Sequence, residues 1–365
     1  MESAHGTHVV VGISGGVDSA VAAALLKDQG LQVTGLFMKN WEEDDDVAYC
    51  GAAEDLAVAE TVCAQLGVRL HTVNFSHEYW ERVFAVFLRE YRAGRTPNPD
   101  VLCNKEIKFR EFLDYAEHLG ADAIATGHYA RRETRGGLPI LYKGADQEKD
   151  QSYFLYSVSR EALSKTLFPL GRLTKTEVRQ RARDLGLHNS ERKDSTGICF
   201  IGERRFKDFL SRYLPNESGR IETPEGALIG QHDGLWFYTL GQRQGLDIGG
   251  PGEAWYVSGK DVARNVLEVV QGHNHPALMC KTLRAVEPEW LTGDLPTTPL
   301  TCNAKTRYRQ DDQSCVVTQA THDTIDIEFQ VPQRAATPGQ ALVLYHEDRV
   351  LGGGTIDQID YPIDE

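Results

Sequence analysis

The stretch HVVVGISGGVDSAVAAALL, His8 to Leu26, decides the fold. Its first part is a short apolar run with valine at positions 9, 10 and 11, the unbroken pattern of a strand buried on both faces. Its last part predicts a helix starting near Asp18, with Val17, Ala20, Val21, Ala24 and Leu25 on one face. Between them, the turn Ser14-Gly15-Gly16 lets backbone N–H groups converge on an anion, and the helix N-terminus adds about half a positive charge. Ser14 and Ser19 add hydroxyl donors. The loop has Gly-Val-Asp-Ser where a Walker loop needs Gly-Lys-Ser/Thr, and it lacks the Gly-x-Gly-x-x-Gly of a dinucleotide site. It is a phosphate cradle without the usual lysine.

The same alternation continues outward from this loop. QVTGLFM reads as a strand, a helix follows from about Ala53 to Leu66, and RLHTVNF is a further strand. A helix around Phe109, Phe112, Leu113 and Ala116 precedes the strand ADAIATGHY. Successive βαβ units imply an α/β domain with a parallel sheet covered by helices on both faces. Ligands of such sheets sit beyond the strands' carboxyl ends, where the loops after VVVGI, GLFM and IATG gather. From about Pro215 helical periodicity gives way to glycine-rich turns, which predicts a small β-rich unit. After about His275, alternating strands such as LTCNAKTRYR, SCVVTQA and TIDIEFQ predict a C-terminal β-barrel of roughly ninety residues, an ordinary domain size. The expected boundaries are residues 1–205 for the α/β domain, 206–272 for the central β-rich domain and 273–365 for the barrel.

The 365 residues include 41% hydrophobic ones, enough for real cores, and no window reaches the apolar length of a membrane span. With no signal-type start either, a cytoplasmic enzyme is expected. The net charge of −14 excludes indiscriminate nucleic-acid binding and leaves only local basic patches for that purpose. Candidates are Arg131, Arg132 and Arg135; Arg179, Arg181 and Arg183; Arg204, Arg205 and Lys207; Arg307 and Arg309. Each taken alone reads as a solvated face. The acidic run Glu42 to Asp46 reads as a solvated loop rather than a metal site.

Seven scattered cysteines, none in a CxxC pair, disfavour both a disulfide framework and a zinc site. Two have settings that invite chemistry. In TPNPDVLCNKEIKF, Pro97 and Pro99 stiffen a turn, Asp100 is placed to cap a helix, and Cys103 then falls at the third helical position near Lys105. That position favours the thiolate. In KDSTGICFIG, Cys199 follows a turn-rich run suited to a loop. One preorganised thiol and one loop thiol suit sulfur transfer through a persulfide. Cys50, Cys63, Cys280, Cys302 and Cys315 lack such settings and are expected to be structural.

SGGVDS after a parallel strand resembles the PP-loop of the ATP pyrophosphatase superfamily, with its adenine nucleotide alpha hydrolase-like fold. Members bind ATP, adenylate an oxygen and release pyrophosphate, so the loop would hold the β and γ phosphates while reaction occurs at the α phosphate. Together with TPNPDVLCNKEIKF, ATGHYAR, KDQSYFLY, KDSTGICFIG and YTLGQRQGL, the chain is similar to the bacterial tRNA-specific 2-thiouridylases over nearly its whole length. The tail YHEDRVLGGG matches only around its glycines.

That resemblance implies replacement of the wobble uridine 2-oxygen by sulfur in tRNAs for lysine, glutamate and glutamine. ATP binding falls to Gly12, Ile13, Ser14, Gly15, Gly16, Val17, Asp18 and Ser19, with Met38 and Gly127 framing adenine and ribose, and Mg²⁺ accompanying the nucleotide. Cys199 would carry a persulfide from an upstream donor protein, its terminal sulfur would attack the activated carbon directly or after release as sulfide by Cys103, and either route would end in a Cys103–Cys199 disulfide. Asp100 is a candidate acid or base, with helix capping as its alternative role. Asn98, Pro99 and Asp100 would line the target base. His128, Lys149, Asp150, Gln151, Arg307, Tyr308 and Gln340 would contact tRNA. The enzyme rival is a PP-loop amide-forming synthetase using ammonia. The non-enzymatic rival is an RNA-binding module whose loop senses nucleotide, in which Cys103 and Cys199 would be gratuitous.

Overall fold

A computed structural model describes residues 6–42, 51–194 and 206–360. Cys50, most of the acidic run, Cys199, Arg204 and Arg205 lie outside the described residues. The chain divides into two compact units: Met1–Phe84, Pro99–Glu203 and Asp348–Val350 in the first, and Ala85–Asn98, Arg204–Glu347 and Leu351–Glu365 in the second.

The first unit begins β1 (His8–Gly12), α1 (Val17–Asp28), β2 (Gln32–Lys39), α2 (Gly51–Leu66), β3 (Arg69–Asn74), α3 (Ser76–Tyr79). After α4 (Ala85–Arg92), which belongs to the second unit, it resumes with α5 (Pro99–Cys103), α6 (Phe112–His118), β4 (Ala123–Ala125), β5 (Ala130–Arg135), β6 (Leu138–Lys143), α7 (Arg160–Ser164), β7 (Thr166–Leu167) and α8 (Lys175–Asp184). The sheet runs β3-β2-β1-β4-β7 with every pairing parallel, as the alternating pattern implies. Val9, Val10 and Val11 are fully buried, because the central strand is covered on both faces.

Two local expectations change. The predicted one-sided face of α1 is instead buried almost all round, from Val17 through Leu26, since the helix packs against α2 and α8 as well as the sheet. The helix expected around Phe109 is a π-helical turn, Asn104–Glu111, running into α6. Such i→i+5 turns follow α-like periodicity too closely to be read from sequence, and they occur often at functional sites.

The second unit holds α9 (Phe206–Leu210) and two β assemblies. β8 (Gly219–Glu222), β9 (Leu228–His232), β10 (Trp255–Asp261) and β11 (Val266–Gln271) form a sheet ordered β10-β11-β8-β9 around Ile221, Leu235, Val257, Leu267 and Val269. β12 (Met279–Trp290), β13 (Leu300–Lys305), β14 (Gln313–Ala320), β15 (Thr324–Arg334), β16 (Ala341–His346) and β17 (Arg349–Asp360) follow in the order β12-β15-β14-β13-β16-β17. β17 pairs back onto β12, from Thr282–Asp360 to Trp290–Gly352, and closes a barrel. Its interior is the alternate, inward set: Leu283, Ala285, Cys302, Ala304, Cys315, Val317, Ile325, Ile327, Phe329, Leu342 and Leu344.

Candidate active site

Order reverses beside β1, which lies between β2 and β4, so the loops after β1 and β4 flank the crevice where α/β sheets bind ligands. They touch there. A Cβ on Gly127 would lie 2.9 Å from the Asp18 carbonyl carbon and 2.9 Å from the Ser19 nitrogen, so only glycine permits this approach. Gly12 ends β1 against the ring of Phe112 and the side chain of Met38, which brings two further residues of the expected nucleotide set to one edge.

The loop itself is held by its own hydroxyls. Ser19 Oγ accepts from Ser14 N at 3.2 Å and donates to Gly16 O at 3.0 Å, and Ser14 Oγ accepts from Gly16 N at 3.3 Å. Gly15 has φ +76°, and a Cβ there would meet the Asp55 carbonyl oxygen at 2.6 Å. Gly16 caps α1 and offers no side-chain oxygen, so backbone N–H groups of the first turn are left to an anion.

Residues distant in sequence brace this loop. Asn189 Nδ2 donates to Gly15 O at 2.9 Å, and Arg192 donates to the same carbonyl at 3.3 Å while its other amine bonds Asp55 at 2.6 Å. Asn189 is buried, and its Oδ1 has no hydrogen-bond partner. Burial pushes the Asp55 carboxyl up, against the opposing charge of Arg192.

A lysine reaches the loop from α8. Thr174 and Glu177 form a capping box that fixes the start of this helix, and Lys175 follows as its first residue. Lys175 Nζ donates to both carboxylate oxygens of Asp18, at 2.7 and 2.8 Å, and lies 2.8 Å from Asp194 Oδ1. Tyr129 Oη donates to Asp18 at 2.8 Å. Asp194 also receives Arg179 at 2.6 Å and Lys149 at 2.9 Å. Burial pushes its carboxyl up, but Lys175 and Lys149 outweigh that and hold it down at about 2.

The cysteine motif departs from its expected capping. α5 starts at Pro99, whose missing N–H suits the first helical position, so Asp100 stands inside the first turn and not at the cap. Cys103 is therefore the fifth helical residue, buried where α5 passes into the π-helical turn. Burial pushes the Asp100 carboxyl up, with Lys108 opposing. Buried Asn104 donates to Phe154 O at 3.1 Å and ties this turn to the segment after Lys149-Asp150-Gln151.

Four of the residues expected to meet tRNA are engaged inside the first unit, Lys149 with Asp194 as above. His128 is buried beside Phe109 and Phe168, hydrogen-bonded through Nδ1 to Thr126 at 2.8 Å, and burial with the charge of Lys108 brings its pKa down to about 3. Asp150 accepts from Gly144 N, Ser152 N and Ser152 Oγ, and Gln151 accepts from Tyr129 N. In the second unit, Arg307 and Tyr308 lie on the turn between β13 and β14, and Gln340 donates to Thr96 O at 2.8 Å.

Most other basic clusters are internally answered. Arg131 bonds Asp348 and Lys143 O, Arg132 bonds carbonyls of Leu163 and Ser164, and Arg135 bonds Glu133. Arg179 serves Asp194, Arg183 lies near Glu191, and Lys207 pairs with Asp233. Among the described residues, no cluster of three His, Cys, Asp or Glu could hold a metal, and no helix is long and apolar enough to cross a membrane. Cys63, Cys280, Cys302 and Cys315 are buried.

Sequence reasoning missed Lys175, Asn189, Arg192 and Asp194 as parts of one site. The capping box T-K-T-E was the readable signal for where α8, and hence Lys175, begins.

Three family models match in succession: a tRNA methyl transferase HUP domain over residues 7–203, a tRNA methyl transferase PRC-barrel domain over 207–271, and an aminomethyltransferase β-barrel domain over 280–356. The chain is 62% identical over 356 residues to the tRNA-specific 2-thiouridylase MnmA of Methylococcus capsulatus, covering 96% of each chain. It is 57% identical to the protein of that name from a Marinomonas species, covering 97% of this chain and 92% of the relative. The Legionella pneumophila relative is 58% identical, with 96% and 98% covered.

Proposed function

Because the chain belongs to the tRNA-specific 2-thiouridylase family, whose members are tRNA sulfurtransferases, we propose that it adenylates the 2-oxygen of the wobble uridine of tRNA and replaces it with sulfur. The observation that carries the ATP half is the cradle: a glycine turn and a serine-braced helix N-terminus, with Lys175 supplying the cation that the loop lacks. ATP fits this loop because Gly15 and Gly127 let Asp55 O and the Asp18–Ser19 backbone approach where any Cβ would clash, which holds the glycine turn and the start of α1 in the shape of a phosphate cradle.

Backbone N–H groups near Gly16 and the hydroxyls of Ser14 and Ser19 would orient the leaving pyrophosphate, and Met38 and Gly127 would frame the nucleoside. A Mg²⁺ entering with the nucleotide would offset phosphate charge, and Asp18 would be its loop carboxylate on exchanging Lys175 for the ion. Uracil O2 is a poor leaving group, and adenylation lets it depart as AMP. Asn98, Pro99 and Asp100 would line a base turned out of its stack, since a paired base hides its 2-carbonyl. Lys149, Asp150, Gln151, His128, Arg307, Tyr308 and Gln340 remain the proposed tRNA contacts, although His128 is buried.

The terminal sulfur of a Cys199 persulfide, loaded by a donor protein, adds to C2 as the AMP oxygen leaves. The Cys103 thiolate then attacks Cys199 Sγ, the persulfide S–S bond breaks, and its outer sulfur stays on the base. A Cys103–Cys199 disulfide results, which an external dithiol reduces with two electrons. Asp100, its carboxyl raised by burial, is placed in the same helix to hold a proton. The same reading assigns catalysis to residues 1–205, with 206–272 and 273–365 as the central and tRNA-contacting domains, in the cytoplasm.

The deciding experiment incubates unmodified tRNA with protein, ATP, Mg²⁺ and a sulfur donor, then resolves it on a mercury-containing gel. Retardation with the parent, but not with Cys103→Ser or Cys199→Ser, is expected. ATP split to AMP and pyrophosphate without retardation would redirect the reading to a nitrogen acceptor.

A further inference from the structure

We infer that Arg334 is a phosphate contact for tRNA, acting beside Arg307 on one basic face of the second unit; the inference rests on the tRNA reading above. Arg334 ends β15, opposite Met279 of β12. Its guanidinium lies over the ring of Tyr256, 4.8 Å from the centroid, with Nε donating to His273 O at 2.9 Å and Nη2 toward Gly241 O at 3.4 Å. These contacts fix the plane of the group and leave its charge unanswered. Among the described residues, neither Arg334 nor Arg307 has a carboxylate within ion-pair distance.

The two arginines are fastened together through their neighbours. In the turn that carries exposed Arg307, Thr306 N and Oγ1 bond Gln310 Oε1 at 2.8 and 2.9 Å. Gln310 Nε2 then donates to Gln333 Oε1 at 2.7 Å, and Gln333 Nε2 to Gln313 Oε1 at 3.1 Å. The turn is thus pinned to the residue next to Arg334. Burial holds the Arg334 guanidinium below its ordinary value, against the opposing influence of Tyr256, and the charge of Arg307 adds to the lowering, so the two charges feel one another.

Keeping like charges close without a counter-ion is unfavourable. In a chain with 53 acidic and 39 basic residues, carboxylates are abundant, and elsewhere in the barrel Arg284 is paired bidentately with Asp326 at 2.6 and 2.9 Å. A face that keeps one fixed guanidinium and one on a pinned turn without a carboxylate, with Tyr308 between Arg307 and Arg309, has the composition that backbone phosphates and a stacking base require.

Fluorescence anisotropy with unmodified tRNA, from about 50 to 300 mM KCl, gives the slope of log K against log salt, which reports how many phosphates the protein neutralises. Arg334→Gln and Arg307→Gln should each flatten the slope by about 0.7 to 0.9, and the double variant by nearly twice that. Arg284→Gln should leave it unchanged. A merely structural Arg334 would weaken binding without changing the slope, so a parental slope in a folded Arg334→Gln overturns the inference alone. A parent that shows no tRNA binding at low salt overturns the tRNA reading and this inference together. If Arg334→Gln does not melt cooperatively, Arg334→Lys decides: a several-fold loss of affinity at unchanged slope supports a guanidinium fork on phosphate, and parental affinity refutes it.

Discussion

Replacing Lys175 by methionine keeps the length of the side chain and removes one charge from the loop proposed to cradle the nucleotide. The ammonium bonds Asp18 twice, at 2.7 and 2.8 Å, and Asp194 at 2.8 Å, and its side chain is 12% exposed. Two carboxylates on one ammonium lie no more than about 5.5 Å apart, and at an effective dielectric near 20 their bare repulsion is about 3 kcal/mol. Asp194 is held at about 2, against an ordinary 3.8, which corresponds to about 2 kcal/mol shared between Lys175 and Lys149. Both carboxylates are about one-third exposed, so water recovers part of this, and the expected loss of stability is about 1–2 kcal/mol. Asp194 contributes its stability above pH 3.8 and loses it as pH falls toward 2, and the variant should lose a smaller increment across that window.

The effect on function should be larger, because Asp18 would swing from its place and the phosphates would lose a charge-assisted contact of about 1.5–3 kcal/mol. That corresponds to roughly a 10- to 150-fold loss in the rate of AMP formation at limiting ATP. The assay is release of AMP and pyrophosphate against ATP concentration, alongside urea denaturation and a double-mutant cycle with Asp18→Asn. Parental ATP dependence in a folded Lys175→Met would refute the claim that α8 supplies the cradle's cation. A coupling energy near zero with Asp18 would refute the geometric argument even if activity fell.

Gly127→Ala should cost about 1–3 kcal/mol and impair ATP use more than it lowers the melting temperature, since the new methyl meets helix backbone at 2.9 Å; a parental melting curve with parental activity would contradict this. His128 has a depressed pKa, about 3 when folded, so its contribution is full above 6.5 and lost as pH falls toward 3. By pH 5 that loss is about 2 kcal/mol, which His128→Gln should remove from the pH dependence of the urea midpoint. Asp100 has a raised pKa, so its ionisation costs stability as pH rises through the folded value. Asp100→Asn should therefore be at least as stable as the parent at neutral pH while losing thiolation on the mercury gel; full thiolation would remove its acid–base role.

The sheet was legible because its central strand is a pure apolar run between turn signals, and the glycine turn that follows leaves few alternatives. The hairpin of β5 and β6 went unread although Gly136 and Gly137, both at positive φ, mark its turn. The brace around the loop was not legible for a different reason. Lys175 stands 157 residues from Asp18, and Asn189 and Arg192 stand 174 and 177 from Gly15, and local periodicity carries no information on pairings of that span. Asp100 was misplaced by two positions because proline at the first helical residue competes with aspartate for the start of a helix, and proline took it. The arginines of α8 looked like a patch for RNA, yet Arg179 is turned inward to Asp194 and to the carbonyls of Ser190 and Arg192.

The closure of β17 onto β12 has a consequence for biosynthesis. β12 can meet its second neighbour only after some seventy further residues have left the ribosome, so until then the nascent barrel presents two open edges, on β12 and on β16. A product truncated before Arg349 would keep those edges permanently, with Leu283, Ala285, Leu342 and Leu344 only partly enclosed. Such a chain carries its own mark for aggregation or proteolysis, while a chain that has received β17 shows neither edge. Arrival of β17 and concealment of the barrel's pairing groups are thereby the same event.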